Sequence, residues 1–358
     1  MKLRAFAAVL ALGVLLSGCS SLMSREYIWT EPYQLPQSPE VGEQVSVSNY
    51  LQLQKTLTDM VEAGETYRTV SVANYKSQWL EEDAASAVDA LRSSHPIGAY
   101  AVDHVDCEMG SIAGELVMVI RIGYRHDRVD VESIEYVENI EAAKQAVANA
   151  LKECQPGIVL HIQEYMLTDF AQMVEDYAME NPHIVMELPR VMESVYPEAG
   201  KTRVVELKLH YQSSRDALKT MQDKVAPVFS SAILYVSGDG AAYEKYSQLY
   251  TFLMERYEYT IQTSITPAYS LLRHGVGDNK AFATVYAAMC RQAGLECIVV
   301  SGTREGQSWY WNIICHEGVY YHLDLLRCSK EGSFVVRSDG AMIGYVWDYS
   351  AYPSCGPW

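Results

Sequence analysis

Two stretches of this chain read as one unit written twice. The segments 49-NYLQLQKTLTDMVEAGETYRTVSVANY-75 and 139-NIEAAKQAVANALKECQPGIVLHIQEY-165 each run from Asn to Tyr over 27 residues, start 90 residues apart and need no gap. In each, apolar residues recur at helical spacing (Leu53, Leu57, Met60, Val61; Ala143, Val147, Ala150, Leu151), and a turn and an alternating strand come next. A second helix then ends at 95-HP-96 in one copy and 181-NP-182 in the other, where proline acts as a stop. Two strands close each unit, 116-LVMVIRIGY-124 answering 203-RVVELKLHY-211. Two copies are too few for an open solenoid, so residues 46–235 are expected to pack as one duplicated α/β domain. No catalytic set of Cys, His and acid gathers here. His95, His104, His126, His161 and His183 are scattered and read as surface or satisfied polar residues.

The ends of the chain set its location. Lys2 and Arg4 precede an apolar run from Ala5 to Leu16, which meets 16-LSGC-19. That is a secretory signal, too short for a stable span. Its ending resembles the lipobox of bacterial lipoproteins, which implies a lipidated Cys19 as first mature residue and a fatty-acyl anchor. Residues 20–45 are polar and proline-bearing (31-EPYQLPQSPEVGEQ-44) and read as a flexible linker. The expected location is the extracytoplasmic face of the cell membrane, with the lipid as the only membrane contact.

Charge and cysteine usage narrow the partners. The net charge is −17. Without residues 1–19, which carry two bases and no acid, 26 basic residues face 45 acidic ones, or −19. No basic run occurs, so nucleic acid is not an expected partner. Seven cysteines remain beside Cys19, an odd number, so at least one is unpaired unless it bonds another chain. No CxxC or His pair suits zinc, so neither metal nor cofactor is expected.

From about residue 236 the pattern changes. The stretch 243-YEKYSQLYTFLMERYEY-259 places Tyr246, Leu249, Tyr250, Leu253 and Tyr257 on one helical face. After 275-GVGDNKAFATVYAAMC-290, a helix burying Phe282, Val285, Tyr286, Met289 and Cys290, come a stop at Gly294 and the strands 296-ECIVVSG-302, 311-WNIIC-315 and 319-VYYHLD-324. Together with the tail, roughly Tyr243 to Cys355 resembles the transglutaminase-like domain of secreted bacterial proteins, a papain-related α+β fold, and the domain is expected over residues 236–358. The implied nucleophile is a cysteine at the start of a helix, where the dipole raises the thiolate fraction. A histidine base and an orienting acid complete the implied set. Carried over by residue, the cysteine position is Asn279, the histidine position is Trp309 within 309-WYWN-312, and the acid is Asp324. Asparagine has no anionic form near neutral pH, and indole is a donor only. Asn279 is expected to cap its helix and Trp309 to offer its N–H to Asp324.

The expected protein is thus a lipid-anchored binding or scaffolding module rather than an enzyme, with cell-wall peptides or an envelope protein as partner. Tyr310 and Trp311 join Trp309 as candidate ligand-facing residues. The alternative left open is a cysteine hydrolase or acyltransferase with a relocated thiol: Cys290, Cys315 or Cys328, with His322 two residues before Asp324. The anchor is tested by Cys19→Ala, which should move the protein from the membrane fraction to the soluble one. An unchanged bound fraction contradicts the lipid anchor.

Overall fold

The computed structural model describes residues 45–357, apart from 127, 237, 239 and 262–266. The signal, Cys19 and nearly all of the linker lie outside the described residues. The first unit is built from α1 (Tyr50–Glu62), β1 (Tyr67–Ser71), α2 (Leu80–Ser94), the short α3 (Pro96–Ala101), β2 (Val102–Ile112) and β3 (Glu115–Tyr124). The second comes after α4 (Arg128–Glu132) and β4 (Glu135–Asn139), with α5 (Ile140–Lys152), β5 (Gly157–Glu164), α6 (Phe170–Glu180), β6 (Arg190–Tyr196) and β7 (Arg203–His210).

Local chemistry starts and stops the leading helix of each unit in the same way. Asn49 Oδ1 accepts from Gln52 N and Asn139 Oδ1 from Ala142 N, each at 3.0 Å. Both helices end in a left-handed residue, Gly64 (φ 63) and Cys154 (φ 49), again 90 positions apart. The next backbone N–H closes the end in both, Glu65 onto Met60 O and Gln155 onto Ala150 O. All eight residues expected to face inward on α1 and α5 are buried. The sheets run β1-β3-β2 and β4-β5-β7-β6, so β5-β7-β6 repeats the antiparallel order of the first unit, and β4 adds a parallel edge strand.

The C-terminal part comprises α7 (Arg215–Tyr235), α8 (Ala242–Met254), β8 (Glu258–Tyr259), α9 (Pro267–His274), β9 (Val276–Gly277), α10 (Asn279–Gln292), β10 (Cys297–Arg304), β11 (Gln307–His316), β12 (Val319–Leu323), α11 (Leu325–Glu331) and β13 (Tyr345–Trp347). Its antiparallel sheet runs β12-β11-β10-β13. Leu218, Val225, Phe229 and Ala232 of α7 share one core with Tyr246 and Leu249 of α8 and with α10. So α7, although it precedes residue 236, packs with the C-terminal domain.

Helix α10 departs from expectation. Its sequence pattern predicts one apolar face, yet every residue from Ala281 to Cys290 is buried. The alanines at 281, 283, 287 and 288 have so little bulk that α8, α9, β10 and β11 all close on the helix. Among the described residues no helix is long and apolar enough to cross a membrane. The paired caps give a test: Asn49→Ala and Asn139→Ala should each lower stability by about 1 kcal/mol, read as an earlier urea midpoint. Midpoints unchanged in both variants contradict the caps.

Candidate functional site

The start of α10 is fixed by the short strand before it. Strand β9 pairs in parallel with β8 and delivers the chain extended at Asp278 (φ −85, ψ 178). A Cβ on Gly277 would lie 3.0 Å from Leu271 Cδ1, so the strand meets α9 at close quarters. Asp278 is the cap, its Oδ1 accepting from Ala281 N at 2.8 Å. This corrects the expectation for Asn279. Because the extended residue is 278, Asn279 is already the first helical residue, and its side chain turns to the sheet. There Asn279 Oδ1 accepts from Tyr310 N at 3.0 Å, tying the helix start to β11.

Opposite stands Asp324, 2% exposed. It ends β12 and caps α11, with Oδ1 accepting from Arg327 N at 3.0 Å. Its other oxygen, Oδ2, accepts Trp309 Nε1–H at 2.9 Å and Tyr345 Oη–H at 2.6 Å, with Arg304 Nη1 at 3.4 Å. The Arg304 guanidinium also lies over the rings of Trp309 and Tyr345. Burial, then the neighbouring carboxylate, push the Tyr345 hydroxyl far above its ordinary pKa, so it stays a donor. Asn279 and Asp324 line one narrow space with Tyr310, Trp311 and Asn312. Asn312 Nδ2 donates to Ala283 O, and its buried Oδ1 has no partner. The structure thus brings Asn279, Trp309 and Asp324 to one place, and neither Asn279 nor Trp309 can take a proton from a nucleophile.

Of the three aromatics expected to face a ligand, only Trp309 lines an open cleft. That cleft, ≈520 Å³, is also bounded by Tyr257, Tyr259, Arg304, Gln307 and Lys330. Trp311 is 1% exposed and packs with Ile313 and Trp347 in a core cluster, which corrects its assignment as a ligand contact. Tyr310 is half-buried, with the Lys280 ammonium 5.1 Å from its ring centroid.

The relocated thiols lack the environment a nucleophile needs. Burial raises the Cys290, Cys315 and Cys328 thiols above their ordinary pKa, Cys290 well above. His322 does not face Asp324, because the strand ends at Leu323 and the two-residue alternation ends with it. Instead His322 Nε2 meets Asp339 Oδ1 at 2.9 Å, and Cys355 lies within 4.8 Å of both. Sequence reasoning missed this cluster, whose members come from the strand and two points of the tail with no repeating spacing. Trp311 Nε1–H, a donor only, points at His322 Nδ1 at 2.9 Å. Nδ1 therefore accepts, and neutral His322 carries its proton on Nε2 toward Asp339. A metal on Nε2 would leave an Nδ1 proton facing the indole N–H, so these residues do not fit an ion. Burial, opposed by Asp339, lowers the pKa of His322.

A family model, the transglutaminase-like superfamily, matches residues 230–349, and this part of the chain is a transglutaminase-like domain within a mixed helix-and-strand protein. Similar solved structures include a TGase (10% identity, TM-score 0.26, 61% of this chain and 63% of that one). A candidate cysteine protease from Cytophaga hutchinsonii is another (13%, TM-score 0.25, 45% and 68%), as is a candidate protease from Parabacteroides distasonis (11%, TM-score 0.23, 71% and 39%). The chain spans under two thirds of the TGase and well under half of the Parabacteroides protein. No protein of curated function matches the sequence.

The site is tested by putting the family's groups back. Asn279→Cys with Trp309→His sets a thiol at the start of α10 and an imidazole beside Asp324. The introduced thiol should alkylate faster at mildly acidic pH than an ordinary cysteine. The smaller imidazole leaves a void, so some loss of stability accompanies it. A new cysteine with an ordinary pKa means that the three positions do not form one site.

Proposed function

We propose that the transglutaminase-like domain is a binding module without thiol catalysis, carried outside the cell on a lipid at Cys19. The observation that carries this reading is the Trp309 Nε1–Asp324 Oδ2 hydrogen bond. The acid that would orient a histidine is occupied by a donor that cannot act as a base. The cleft beside it keeps the features of a recognition surface: the rings of Tyr259 and Trp309, 6.1 Å apart, with Arg304 and Lys330 at its walls. Aromatic rings with polar tips and a mixed set of charges suit a peptide, and the expected ligands are wall peptides or a peptide segment of an envelope protein.

Incubation with glutamine peptides, amine donors and wall peptides should give no turnover. The same wall peptides should bind by calorimetry, and Tyr259→Ala, at an edge of the cleft and 37% exposed, should weaken them at least fivefold with the melting temperature unchanged. Turnover that disappears on substitution of Cys290, Cys315 or Cys328 replaces this reading with a relocated-nucleophile enzyme.

A further inference from the structure

We propose that the groove between α2 and the edge strand β2 is the docking site for an extended, basic segment of a partner polypeptide. It lies in the first repeat unit and is independent of the C-terminal cleft. Two cavities of ≈570 Å³ each adjoin there, sharing Glu81 and Met109. Their floor is the row that β2 turns toward the helix layer, Val105, Cys107 and Met109, together with Met118 of β3. A row in that position is ordinarily sealed. Here all three β2 residues are only half-buried, and Trp79 at the end of the groove is 57% exposed.

Two further features indicate what covers it. Strand β2 is 11 residues long and pairs with β3 alone among the described residues. Its outer N–H and C=O groups are a template for one more strand, and an added strand would send alternate side chains into the groove. The wall from α2 carries Glu81, Glu82 and Asp89 against the single cation Arg92. None of these three carboxylates is in an ion pair among the described residues. An excess of two negative charges over an apolar floor suits a strand that alternates apolar side chains with Lys or Arg, and repels an acidic one.

The full-length protein, purified in detergent, is titrated with a labelled ten-residue peptide alternating Val and Lys and with its Val/Glu counterpart, by fluorescence anisotropy. Cys107 is a native reporter on the floor. Burial pushes its thiol up to about 11, so its alkylation is followed at alkaline pH by mass spectrometry. The basic peptide should bind, weaken as salt rises, and slow Cys107 alkylation at least fivefold, while the acidic peptide does neither. Neutral replacement by Glu81→Gln, Glu82→Gln and Asp89→Asn should weaken binding at least tenfold with an unchanged circular dichroism melt. Equal binding of both peptides, or binding without protection of Cys107, overturns the proposal. Protection that grows with protein concentration in the absence of peptide also overturns it, making the occupant a second copy of this chain.

Discussion

A buried carboxylate is tolerable only when its lone pairs are filled, and Asp324 is where the C-terminal domain fills them. Its donors come from four separate elements: Trp309 on β11, Tyr345 on β13, Arg304 on β10 and the backbone of Arg327 at the head of α11. Each of these is held by its own packing, so the carboxylate fixes the mutual position of three strands and a helix. Removing any one donor leaves charge density in a place that water does not reach, which costs more than the lost bond alone. The site is a structural centre first, and its chemistry has to be compatible with that role.

This explains the role of a tryptophan at a position where the family resemblance implies a histidine. Both rings offer an N–H to the acid, so the coordination of Asp324 is preserved. Only the imidazole has a second nitrogen that can accept a proton, so an indole at 309 cannot serve as the base that the resemblance implies. Asn279 obeys the same logic. The amide cannot become a nucleophile, yet its oxygen accepts the N–H of Tyr310 and binds the head of α10 to β11.

Much of this was legible in sequence because it rests on local rules. The inward faces of α1 and α5 derive from helical spacing, and the pairing of Trp309 with Asp324 from the family resemblance joined to donor chemistry. The misread residues depend on neighbours that sequence spacing does not reveal. Asn279 looked like the cap because it is a good capping residue, but the backbone turns into the helix one residue earlier, at Asp278. Trp311 looked available because the resemblance runs a cleft past its strand, but it packs against Trp347 and Tyr345. The single apolar face read on α10 was too narrow because alanine is ambiguous: it tolerates solvent and burial alike, and only the packing of four other elements decides.

The two tryptophans of 309-WYW-311 both donate an indole N–H to a buried side chain. The β11–β12 register sets Asn312 opposite Leu323 and Ile313 opposite His322. Trp311 therefore bonds along a diagonal of the strand pair to His322, whereas Trp309 reaches Asp324 one residue past the strand's end. Diagonal neighbours on a strand pair are within reach of long aromatic side chains and out of reach of short ones. Since indole only donates, Nδ1 of His322 and Oδ2 of Asp324 both act as acceptors. A tryptophan at 309 thus keeps a donor on Asp324, from the same strand that carries the indole donor of Trp311 to His322.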